Sequence, residues 1–138
     1  MKFKGLAVVP LLLVLPLAAS ASELAINPGL WKTTMTRTNP LTGEPTTETS
    51  PQCVKQKRFK PRDMMKNAQG CELVKDELDG DTLNFRMECN IQGQTSTVDG
   101  MFQTDGKTGK GNMNVKMNMG QMNMNMKMNW TSERVGGC

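Results

Sequence analysis

Between Gly111 and Trp130 runs GNMNVKMNMGQMNMNMKMNW, in which seven methionines (Met113, Met117, Met119, Met122, Met124, Met126 and Met128) alternate with Asn, Lys and one Val. Thioether sulfur is a soft donor that selects Cu(I), and by the same softness Ag(I), over harder ions, so a close-set group of these side chains carries the chemistry of a soft-metal site. Methionine is also unbranched, flexible and polarisable, which suits it to filling irregular cores and lining apolar cavities. Which property applies depends on whether the sulfurs share a face, and therefore on the backbone that carries them.

A reversal at Gly120-Gln121 settles the face. Gly at the first central position of a two-residue turn supplies the positive φ of a type II′ hairpin. Met119 then pairs with Met122, Met117 with Met124, Val115 with Met126, Met113 with Met128 and Gly111 with Trp130. Side chains alternate across a strand, so every apolar residue lands on one face and Asn114, Lys116, Asn118, Asn123, Asn125, Lys127 and Asn129 take the other. The favoured reading is an apolar ligand face or core lined by Trp31, the seven methionines and Trp130. The alternative is a Cu(I) or Ag(I) site on the same strip, with Met117, Met119, Met122 and Met124 as ligands beside the turn. The chain has no histidine to join them, and the strip is uniform where a metal site is a local cluster. A third reading packs the strip against a second copy or an envelope partner, since a Met-faced hairpin left bare is sticky.

Other chemistry is sparse. With no His and no Tyr, the common general bases are missing and no catalytic residue is assigned; the expectation is a protein that is not an enzyme and has no cofactor. Asp76, Glu77, Asp79 and Asp81 gather around one predicted turn without EF-hand spacing, so they read as solvated loop surface. The basic run Lys55, Lys57, Arg58, Lys60 and Arg62 reads as a solvated helix entrance. Cys53, Cys71, Cys89 and Cys138 include no CxxC pair, which argues against a redox motif or a zinc knuckle and for two disulfides.

The elements that must position these groups begin after a leader. MKFKGLAVVPLLLVLPLAASASEL places Lys2 and Lys4 before an apolar run that ends in Ala19, Ser20 and Ala21. That is a secretory signal peptide over residues 1–21, cut after Ala21. The run is too short and too proline-bearing to anchor a membrane, so no transmembrane anchor remains after cleavage and the product is periplasmic or secreted. Losing the two lysines lowers the net charge from +4 to +2, which disfavours nucleic acid as a partner. Residues 22–138 make one small β domain.

Within it, NPGLWKTTMTRTNP is a strand with Trp31, Thr33 and Met35 on one face, followed by a turn and an irregular return strand. A short helix starts near Pro61, carries Asp63 in its first turn and stops at Gly70. In CELVKDELDGDTLNFRMEC a loop at Asp79-Gly80-Asp81 pairs Leu78 with Thr82, which sets Leu73 against Met87 and Cys71 against Cys89. A bridge between Cys71 and Cys89 follows, and Cys53 with Cys138 is left by elimination. Gln103 opposite Thr108 would bring Val98 to Met113. The fold class is mainly β, an antiparallel meander sheet, either strongly curved or a half-open barrel, with one short helix and disulfide staples.

NPGLW, Cys53, the Cys71–Cys89 hairpin, the Gly-bearing Met-rich strands and the terminal VGGC together resemble a bacterial exported family, domain of unknown function 3617. The likeness covers nearly all of the mature chain. Lys32 stands where an acidic residue often follows PGLW, and Asp79-Gly80-Asp81-Thr82 replaces the family's GNT-type turn. The resemblance implies export and this architecture, and it brings no catalytic residues. The expected function is a non-catalytic binding or envelope-accessory protein that holds an apolar small molecule or an envelope protein.

Overall fold

The structure, a computed structural model, describes residues 22–138; the leader predicted over 1–21 lies outside the described residues. β5 (Cys71–Asp79), β6 (Thr82–Ile91), β7 (Gln94–Thr104), β8 (Thr108–Met119) and β9 (Met122–Gly136) form a meander, each strand antiparallel to the next. β2 (Gly29–Thr38) and β3 (Pro45–Val54) form a separate hairpin that joins the meander through β2 against β9. The resulting seven-stranded sheet has the order β3-β2-β9-β8-β7-β6-β5 and does not close into a barrel. β1 (Leu24–Ala25) pairs with β4 (Arg58–Phe59), and α1 (Pro61–Met65) follows β4. The predicted class holds: mainly β and antiparallel, one short helix and two disulfides among the described residues.

The β8–β9 hairpin has the predicted register from Met119↔Met122 to Gly111↔Trp130. Gly120 carries φ 72° and Gln121 is not among the positive-φ residues, as a turn with glycine at its first central position requires. Two other registers differ from expectation. In β5–β6 the turn is tighter than predicted, pairing Asp79 with Thr82 and Leu78 with Leu83 around Gly80 at φ 60°. A bulge at Val74 then takes up one residue, so Leu73↔Met87 and Cys71↔Cys89 still face each other. In β7–β8 the four-residue loop lies one position further along, with Thr104 opposite Gly109, so Val98 faces Val115 and Gly100 faces Met113. The cause is Asp105, whose carboxylate accepts the N–H groups of Lys107 and Thr108 at 2.8 and 2.7 Å and thereby makes Asp105 the first loop residue. The shift is an even number of residues, so the faces are unchanged.

The return strand predicted as irregular is a regular ten-residue edge strand, β3, paired along its whole length with β2. The helix is shorter than predicted, ending at Met65 with Gly70 beyond it in the turn at φ 77°.

The core occupies one end of one sheet face. Leu24, Trp31, Leu83 and Phe85 are buried, as is Pro61 at the start of α1. Full burial of side chains of this kind is worth about 1.5–3 kcal/mol each. Phe59 meets Phe102 edge to face with centroids 5.3 Å apart, and Phe102 leans on Trp130 at 6.2 Å. The Trp31 indole donates to the carbonyl of Asn27 at 2.9 Å, which satisfies its one polar atom. Glycines let the aromatic rings lie flat on the sheet: a Cβ at Gly100 would enter the Phe85 ring, and one at Gly111 the Trp130 ring.

The disulfides join Cys71 to Cys89 across β5–β6 and Cys53 to Cys138, the second reaching across β2 from edge strand β3 to the chain end after β9.

Candidate functional site: the methionine face

Alternation along β8 and β9 puts Met113, Met117, Met119, Met122, Met124, Met126 and Met128 on the face that carries the aromatic core, with Asn and Lys on the other. The register extends this face sideways. Met87 of β6 pairs with Val98 of β7, Val98 with Val115 of β8, and Met35 of β2 with Trp130 of β9. These three flanking residues were absent from the predicted lining, although the same two-residue period in their strands announces them.

Coverage falls along the strip. Trp31 is 5% exposed and lies at the closed end of the strip. Trp130, Met128, Met126, Met113, Met117 and Met124 are half-buried. Met119 and Met122, beside the turn, are exposed at 36% and 54%. The apolar surface therefore starts under the aromatic cluster and runs out into solvent at the hairpin tip. Arg37, opposite Met128, stands at the rim and pairs with Glu48 at 3.0 Å.

The opposite face has its own concavity, of about 670 Å³, with Lys32, Thr34, Gln103, Lys110, Thr131 and Glu133 in its lining. Sequence reasoning missed it, because these residues lie on four strands and form no motif. Its lining mixes charged side chains and hydroxyls. Among the described residues no group of three or more His, Cys, Asp and Glu is placed to hold a metal ion. Asp105 has its carboxyl held below the usual aspartate value by the Thr108 and Lys107 amides. Asp63 is lowered by its hydrogen bond with Lys66. Both serve local turns.

Fold and face together define an open, disulfide-stapled antiparallel sheet with one apolar, methionine-rich side. The chain belongs to the family described as Protein of unknown function (DUF3617), whose model matches residues 26–138. No curated protein and no solved structure matches it.

Proposed function

We propose that this is an exported, periplasmic or secreted, non-catalytic protein that holds an apolar small molecule against its methionine face. The carrying observation is that the strip continues past the aromatic core to Met119 and Met122, where it covers nothing of the protein's own. Flexible thioethers on an open sheet adapt to an acyl or similar chain, as methionine does at other promiscuous apolar surfaces. Support for export comes from the charged and apolar leader ahead of Ser22 and from two disulfides, which persist in oxidising compartments. The lack of His and Tyr supports the absence of catalysis.

The test uses the mature chain and a brominated fatty acid, which quenches tryptophan on contact. Half-buried Trp130 sits at the head of the strip, whereas Trp31 is shielded. Saturable quenching that M117Q/M124Q weakens supports the reading. Absence of saturable quenching overturns it, and a stable dimer by native mass spectrometry would assign the face to a second copy instead. Export is tested separately by N-terminal sequencing of the cell-envelope fraction, with Ser22 expected as the first residue.

A further inference from the structure

The methionine strip, uniform as a run of residues, is divided when its cross-strand rows are compared. Row by row from the core outward, Met113 faces Met128, Val115 faces Met126, Met117 faces Met124 and Met119 faces Met122. Val115 interrupts the sulfur array, so the outer two rows are the one place on this hairpin where consecutive rows are entirely thioether. They form a block of four sulfurs, two from each strand.

Packing within the protein's own core does not account for the outer row of this block. Met119 and Met122 are exposed at 36% and 54%, and nothing of the core lies under them. A hairpin tip is ordinarily polar, as Asn118 and Asn123 are on the other face. Four Cβ atoms at about 5.5 Å across the strands and about 6.7 Å along them have a common centre about 4.3 Å from each. A methionine sulfur, two bonds beyond Cβ, reaches such a centre with a metal–sulfur bond of about 2.3 Å, the length of a zinc–thiolate bond, or somewhat longer. The donors are neutral and soft, and both tip residues are open to solvent, so an ion can enter without disturbing the core. No thiolate competes for the ion, since every cysteine among the described residues is in a disulfide.

We infer that Met117, Met119, Met122 and Met124 form a binding site for one monovalent soft cation, Cu(I) or Ag(I). The chemistry is coordination alone, with no change in the oxidation state of metal or protein. Met126 stands one row inward as a further sulfur. The remaining pair, Met113 and Met128, is set apart from the block by the Val115 row.

Leucine keeps the volume and apolarity of methionine and removes the donor, which separates this site from the proposed apolar ligand face. The mature, oxidised protein is titrated anaerobically with Cu(I) against a chromogenic chelator, and with Ag(I) while urea unfolding is followed. Expected results are one ion retained per chain and an Ag(I)-dependent rise in the unfolding midpoint, both lost in M119L/M122L and both kept in M113L/M128L. No retained ion in the wild-type protein, or equal retention in M119L/M122L, overturns the site. Quenching by the brominated acyl chain, measured on the same variants, is expected to survive M119L/M122L. Failure of the metal site thus leaves the apolar reading intact, and the converse also holds.

Discussion

The disulfide Cys53–Cys138 spans 85 residues and Cys71–Cys89 spans 18, so the two staples should differ measurably in what they contribute. In the chain-entropy account a cross-link stabilises by restricting the unfolded ensemble, with an entropy that grows as the logarithm of loop length. At 25 °C the short loop is then worth about 3.2 kcal/mol and the long one about 4.6 kcal/mol. The short loop lies inside the long one and shortens it when both are closed, which trims the larger value to about 4.4 kcal/mol. The native state adds little to the comparison, because Cys53 and Cys138 are exposed and Cys71 and Cys89 only half-buried, so serine replacements open no core cavity.

Urea unfolding followed by tryptophan fluorescence reads the difference, with buried Trp31 reporting loss of the core. For a slope of about 2 kcal/mol per molar urea, C71S/C89S should lower the midpoint by about 1.6 M and C53S/C138S by about 2.2 M. The ranking is the test. A C71S/C89S loss equal to or larger than that of C53S/C138S would refute the account. It would mean that the short bridge acts on the folded sheet, by holding edge strand β5 to β6, and not on the unfolded chain.

Gly100→Ala places a Cβ 2.6 and 2.7 Å from two Phe85 ring carbons, and Phe85, 3% exposed, has no room to move aside; a loss of about 1–3 kcal/mol in urea unfolding is expected, and an unchanged midpoint would remove the flat-ring packing. The lowered Asp105 carboxyl supports its loop fully above the ordinary aspartate value of 3.8, and the support fades as pH falls through the lower folded value. NMR titration of the Lys107 and Thr108 amides should therefore give a midpoint below 3.8, and a midpoint at or above it contradicts the capping role. Asp76 faces Phe85 with one buried carboxylate oxygen lacking a hydrogen-bond partner. D76L should raise stability by up to about 1–3 kcal/mol, and a fall in the urea midpoint would show that the carboxylate has a partner in solution.

Where a strand pair is specified by a two-residue turn with glycine at its first position, its register was legible from sequence: the whole of β8–β9 follows from Gly120. Where side-chain chemistry sets the turn, it was not. Asp105 takes two loop amides and moves the β7–β8 loop along by one residue, a competition between neighbouring turn residues that alternation cannot resolve. The Val74 bulge was equally hidden: it displaces the alternation of β5 by one residue, so that Leu73 and Asp76 share a face, a break that an unbroken two-residue period does not foresee. Of the candidate site, the shared sulfur face could be read from period two alone. The burial of Trp31 could not, since alternation gives its face but not how far that face is covered. The polar concavity on the far face depends on strand order across β2, β9, β8 and β7, which only the closing of β2 onto β9 creates.

An open sheet has two edges and two faces through which it can associate, and here the edges are guarded. β3 carries Pro45, Pro51 and Glu48 along its exposed length, so its row of backbone donors is broken and charged. β5 is bulged at Val74 and studded with Glu72, Lys75 and Glu77, which spoils it as a template for another strand. The Asn- and Lys-bearing face is solvated by composition. That leaves the methionine face as the surface whose exposure costs free energy and is not relieved within the described chain. Protected edges beside an unprotected apolar face are the pattern of a protein that must avoid polymerising through its backbone while keeping one side free for something else. This asymmetry is why the functional reading rests on the face, whether its occupant is an acyl chain along the strip or a soft cation at the tip.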